Sequence, residues 1–178
     1  SSDVCSSDLQ KHHNKPHFVY LSRTSDIKVG VTSSTNLFSR WIDQGATEGV
    51  RLAETPYRQL AGALEVLLKD FTADKTAWQT MLKGQCIDTA GLVDRKNELL
   101  EHVPEELHAF IADDDTVTSI HYPTLQLPSK PKSVKAESTT VLEGTLLGIK
   151  GQYLLLDGDR VFNVRSHAGH EVELSIDC

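Results

Sequence analysis

At 178 residues with a formal net charge of −7, the chain is long enough for one core, or one core and a small satellite. The acidic balance excludes a broad surface that grips duplex DNA nonspecifically, because that binding needs clustered Lys and Arg; a local basic groove remains open. No run approaches the roughly 18 apolar residues of a membrane span, no basic segment followed by an apolar one suggests export, and three cysteines without paired spacing suit a reducing, cytoplasmic setting.

Asp3-Val4-Cys5-Ser6-Ser7-Asp8-Leu9 resembles a DNA-sequencing adapter translated in one frame. Residues 1–15 are therefore expected to be an adapter-derived or disordered tail, with the natural start missing and Cys5 without a role. An ordinary Ser/Asp-rich disordered tail is the alternative. Phe18–Leu21 and Ile27–Val31 are short and β-rich, and Ser22–Asp26 between them suits a hairpin turn of about five residues. Ser33, Ser34 and Thr35 suit the N-cap of a helix carrying Leu37, Arg40, Trp41 and Gln44. Gly45 ends that helix, and Val50–Glu54 reads as a third strand. After Pro56, the spacing of Leu60, Leu64, Leu67, Leu68 and Phe71 predicts a helix with Arg58, Glu65 and Lys69 on its polar side. Asp74 is placed to cap a short helix through Met81, closed by Gly84. Leu92–Val103 predicts another helix, Pro104-Glu105-Glu106 suits the first turn of the next, and Asp113-Asp114-Asp115 ends it.

Residues 116–138 read as an extended linker, because Pro123, Pro128 and Pro131 forbid a helix. Beyond it, strand-like segments near Val141–Ile149, Gln152–Leu156, Arg160–Val164 and Glu171–Ser175 are joined by turn residues and predict a small antiparallel β module over 139–178. The expected class is α+β: a small sheet flanked by helices over 16–115, then the β module.

Two resemblances rest on these strings. The order of strand, turn, strand ending at Gly30, and helix carrying Arg40 resembles the GIY-YIG nuclease-like superfamily, with Phe18-Val19-Tyr20 at its first motif and Lys28-Val29-Gly30 at its second. More of the chain is similar to the bacterial family known as domain of unknown function 2797. His17-Phe18-Val19-Tyr20-Leu21, Lys28-Val29-Gly30-Val31-Thr32, Arg40-Trp41-Ile42-Asp43-Gln44-Gly45-Ala46, Asp74-Lys75-Thr76 and Leu146-Leu147-Gly148-Ile149-Lys150-Gly151-Gln152-Tyr153 carry that likeness. Its members place a Cys-rich, zinc-binding segment upstream of the position held here by His17. That segment is absent, and His12 and His13 fit either its edge or an exposed tail.

The nuclease resemblance implies a Tyr that assists the nucleophile, an Arg that holds the phosphate and a Glu that binds one divalent metal, Mg or Mn. Carried over, these are Tyr20, Arg40 and Glu65, with Lys28 where the second motif has Tyr. Phosphoryl transfer needs such a set, and the planar fork of Arg40 suits a phosphate. Each residue also has a plainer reading: Tyr20 as a core aromatic, Arg40 as a structural Arg, and Glu65 as the partner of Lys69 at i+4. Trp41 and Gln44 fit either a helix end or a wall for an unpaired base, and Lys75 fits either a cap region or a substrate contact. Gly148–Tyr153 fits a tight hairpin or a phosphate contact. Asp157-Gly158-Asp159 lacks the spaced ligands of a calcium loop, His167 and His170 lack further ligands for a metal, and Cys86 lacks a base.

Three functions follow from this reading: a metal-dependent endonuclease, a catalytically silent protein that binds DNA or RNA, and a protein-interaction or small-ligand module. The silent binder is the favoured one.

Overall fold

The computed structural model describes residues 15–138 and 141–177. Residues 1–14, with Cys5, His12 and His13, lie outside the described residues, so the expected tail is described only at Lys15. The chain folds as two compact units, divided between His121 and Tyr122. The α+β class expected from the sequence is the class observed, with two four-stranded sheets and several helices among the described residues.

In the first unit, β1 (His17–Arg23), β2 (Ile27–Ser33), β3 (Glu48–Thr55) and β4 (Thr118–Ser119) form an antiparallel sheet in the order β2-β1-β3-β4. The β1–β2 hairpin is tighter than expected, because pairing continues to Arg23↔Ile27 and leaves only 24–26 as the loop. Asp26 Oδ1 accepts the Ile27 N–H at 2.8 Å within that loop. As a central strand β1 is covered on both sides, which explains its unbroken run of buried Val19, Tyr20, Leu21 and Ser22.

Successive β1 side chains point to opposite faces. On one face Val19 and Leu21, with Ile27, Val29, Val50 and Leu52, pack under α2 (Arg58–Lys69) and α4 (Leu92–Leu100). On the other, Tyr20 packs with Leu37 and Trp41 of α1 (Leu37–Asp43) and with Ala46. A 3-10 turn, Ser34–Asn36, precedes α1, and neither Ser33 nor Asn36 makes a side-chain cap bond. Gly45 follows α1 with φ +71°. The buried residues of α2 are Ala61, Leu64 and Leu68. Phe71, expected in that stripe, stays exposed and stacks on His102 at 3.8 Å. Lys69 pairs with Asp74 at 3.5 Å rather than with Glu65.

The short α3 (Trp78–Leu82) begins later than the expected Asp74 cap. Ser25 of the hairpin loop accepts the Ala77 N–H at 2.8 Å, so this helix start is tied to β1–β2 from a distance. The helix expected over Leu92–Val103 ends at Leu100, and the following one is a 3-10 segment, Glu105–Phe110. Lys96, on α4, is almost wholly buried and donates to the carbonyls of Ala112 (2.6 Å) and Asp114 (3.2 Å) and to Asp115 Oδ1 (2.7 Å).

Within the linker expected over 116–138, two short segments pair with strands: Thr118–Ser119 with Glu48–Gly49, and β5 (Lys132–Val134), in parallel, with β8 (Arg160–Asn163). The prolines that forbid a helix stand outside these strands, with Pro131 directly before β5, where a missing N–H costs least. In the second unit β6 (Leu146–Lys150), β7 (Tyr153–Leu156) and β8 (Arg160–Asn163) form an antiparallel meander, and the sheet order is β5-β8-β7-β6. Asp159 secures the approach to β5 by accepting from the Ser129 and Lys130 N–H groups and the Ser129 hydroxyl. The strand expected near Glu171–Ser175 does not form, and Val172, Leu174 and Ile176 are exposed. No helix among the described residues is long and apolar enough to cross a membrane.

Candidate functional site

Register places the polar residues of the first unit together. Across the hairpin Tyr20 faces Gly30 and Ser22 faces Lys28, so these four share the face that α1 covers. A Cβ at position 30 would lie 2.5 Å from the Tyr20 hydroxyl. Glycine at the end of the second motif therefore seats the phenol.

Tyr20 is wholly buried. Its hydroxyl accepts a hydrogen bond from Gln44 Nε2 at 2.8 Å, and Gln44 Oε1 accepts one from the Ser22 hydroxyl at 3.3 Å. Gln44 reaches this position because α1 ends there, its own N–H bonded to the Arg40 carbonyl at 3.2 Å. Burial is the largest influence on the phenol and raises its pKa. Gln44 and Arg40 oppose that shift, and the charge of Glu65 adds to it. Burial, then the charge of Arg40, lowers the pKa of Lys28, while Asp74 and Glu65 oppose that shift. The edge strand β2 contacts both α1 and α2, which is how Arg40 and Glu65, from different helices, act on the same two groups.

These shifts set alkaline behaviour. A phenol whose folded pKa is raised contributes stability fully below the unfolded value, near 10, and loses it as pH rises through the folded value. Lys28 acts in the opposite sense, its cost to the fold falling as pH rises from its lowered pKa toward 10.5. Absorbance titration at 295 nm is expected to place Tyr20 ionisation above 10, as the component missing from Tyr20→Phe. A missing component at or below pH 10 would contradict the burial argument.

Of the residues singled out from the sequence, Tyr20, Lys28, Arg40 and Glu65 are close enough to act on one another electrostatically. Gln44 is beside them, with its amide engaged by Tyr20 and Ser22. Trp41 is 2 % exposed, and its indole lies against Gly49, where a Cβ would fall 2.4 Å from the ring. Lys75 is exposed, and its neighbour Thr76 bonds the Thr24 hydroxyl at 3.1 Å, which anchors the Asp74-Lys75-Thr76 string to the hairpin.

One member of the cluster, Ser22, escaped the sequence reading, and another, Asp74, is read there as a helix cap. Ser22 stands two residues beyond Tyr20, and the two-residue period of a strand is the signal that places it there. Asp74 has no local signal, because it arrives through the loop that Ser25 and Thr24 hold. Among the described residues, no three His, Cys, Asp or Glu side chains gather as a metal cage.

The fold and the cluster define an α+β protein whose first unit carries a mixed-charge site at the edge of a small antiparallel sheet. The model of one family, described as Protein of unknown function (DUF2797), matches residues 2–172, and the chain belongs to that family. The match begins within the segment read above as adapter-derived. No curated protein matches the chain, and no solved structure does.

Proposed function

We propose that this chain is a nucleic-acid-associated protein with a GIY-YIG-like first unit, which holds a phosphate of DNA or RNA at Arg40 and Lys28 without cleaving the strand. The observation that carries this reading is the contrast between two side chains. The Tyr20 hydroxyl is wholly buried and engaged by Gln44, out of reach of a phosphodiester. Arg40 is exposed, and no carboxylate among the described residues forms an ion pair with it. Arg40 also bonds the Tyr20 hydroxyl, and its remaining N–H groups, beside a second cation, suit a phosphate.

A second reading, a divalent-metal-dependent endonuclease, is favoured by the charge of Glu65 acting on both Tyr20 and Lys28. Glu65 is partly buried and would be the carboxylate that holds Mg or Mn. When bound, the metal would supply charge neutralisation at the phosphate. Arg40 would orient that phosphate, and Tyr20 would need its hydroxyl released from Gln44 to meet a substrate.

Both readings are tested by anisotropy and gel assays on single-stranded, duplex and branched DNA and on RNA, with and without Mg or Mn. The silent binder predicts salt-sensitive binding, weakened about tenfold or more by Arg40→Ala, and intact substrates. Metal-dependent cleavage lost in both Arg40→Ala and Glu65→Ala would establish the endonuclease instead. Neither binding nor cleavage would leave a protein-interaction or small-ligand module.

A further inference from the structure

We infer that Phe38, on the solvent side of α1, is a stacking platform for an unpaired base, which makes single-stranded nucleic acid the ligand class of this unit. The inference rests on the phosphate-binding reading given above for Arg40.

Phe38 is 60 % exposed, a high value for a large aromatic two residues from the proposed phosphate ligand. Water contact with so much of the ring is unfavourable, and burial against a ligand would relieve it. Among the described residues its ring contact is with Trp41, at 5.6 Å between centroids and 79° between planes. In an edge-to-face pair at least one face of the Phe38 ring is left open, whichever ring presents its edge. Trp41 is itself pinned, buried on Gly49 and held edge-on to Tyr20 at 5.9 Å. The open ring therefore stands on a rigid base, and little side-chain freedom remains to be lost when a ligand stacks there.

The rest of α1 matches a strand rather than a duplex or a protein. At about 100° per residue, Phe38 and Ile42 share one flank of the helix and Arg40 lies on the opposite flank. A chain crossing the helix meets the cation on one side and the ring on the other, with Ser39 between them. Ser39 already spends its hydroxyl proton on the Asn36 carbonyl at 3.0 Å. Bases inside a duplex have both faces covered by their neighbours, so only an unpaired base can use the ring. Aromatic faces beside cations are the usual platform for single strands, and they tolerate any base because every base has a π-face. The chain's net charge of −7 fits the same choice, since a duplex grip needs many more cations. A purely apolar protein partner would account for Phe38 and Ile42 and leave Arg40 without a role.

The test uses the full chain with three probes of equal length: fluorescein-labelled oligo-dT, the corresponding duplex, and a strand of abasic sites with the same phosphates. Phe38→Ala is expected to weaken oligo-dT binding by about tenfold and to leave binding of the abasic strand unchanged. Arg40→Ala is expected to weaken both. Phe38→Trp, which keeps a stacking face, is expected to restore oligo-dT binding and so to exclude a folding defect as the cause. Four outcomes would overturn the inference. Unchanged oligo-dT binding in Phe38→Ala with loss in Arg40→Ala would remove the base platform and leave the phosphate reading standing. Equal affinity for duplex and oligo-dT would show that no unpaired base is read. A change of oligomeric state in Phe38→Ala, without change in oligonucleotide binding, would assign the ring to a protein contact. No binding of any probe would remove the phosphate reading and the platform together.

Discussion

Trp41→Ala is expected to destabilise the first unit by about 3–5 kcal/mol, the usual range for truncating a large buried aromatic. The indole is 2 % exposed and occupies space that only a glycine at position 49 leaves free. It also joins two rings, edge-on to Tyr20 at 5.9 Å and to Phe38 at 5.6 Å. Its removal would open a cavity beneath α1 and loosen the helix that carries Arg40 and Gln44. The Nε1–H is buried and has no hydrogen-bond partner among the described residues, so Trp41→Phe, which deletes that donor, is expected to cost clearly less than the alanine variant. Urea unfolding followed by Trp78 fluorescence measures both. A loss below about 1 kcal/mol for Trp41→Ala would mean that the residue lines an open pocket after all.

Lys96→Met is expected to cost about 3 kcal/mol, although it keeps an unbranched apolar stem. The Lys96 ammonium supplies three hydrogen bonds, to Ala112 O, Asp114 O and Asp115 Oδ1. Methionine fills the space and supplies none of them, leaving two main-chain carbonyls short of a donor. Asp115 is about half exposed at 53 % and can turn to water, which keeps the cost toward the lower end for a broken buried pair. The same stretch is held from its other side by Arg51, whose guanidinium pairs with Asp114. Hydrogen bonds from Thr116, followed by Arg51, hold the Asp114 carboxyl well below the usual range. Hydrogen exchange is therefore expected to rise first at the Ala112 N–H, which bonds the Leu52 carbonyl of β3 at 2.9 Å. An unfolding midpoint and exchange pattern matching the parent protein would show that the three acceptors are satisfied without Lys96.

The elements legible in the sequence are those written by local pattern. Phe18–Leu21 and Ile27–Val31 are short and β-rich on either side of a short loop, and they pair as a hairpin. Leu64 and Leu68 recur at a helical period, and they form the buried stripe of α2 together with Ala61. The hairpin and the first two helices together dictate that Tyr20, Lys28, Arg40 and Glu65 arrive in one region, because each is tied to an element whose spacing can be read along the chain. Their chemical states were not legible. That Tyr20 is sealed against Gln44, and that Asp74 acts on Lys28, depends on loops closing over long sequence separations.

Pairing partners follow the same division. Residues 118–119 and 132–134 carry no strong strand signal, and Pro131 argues for a linker. Yet each becomes a strand because an edge of β3 or β8 offers unpaired main-chain groups. Glu171–Ser175 carries the better alternating pattern and remains unpaired, with Val172 and Leu174 exposed. Trp41 reads locally as a site aromatic and Lys96 carries no local signal of burial, yet both are buried. By itself the sequence determined the hairpin, the helical stripes and the family strings, all of which depend on neighbours within a few residues. Only the tertiary structure decided which of those residues face water, because burial is set by what distant segments bring to the other side.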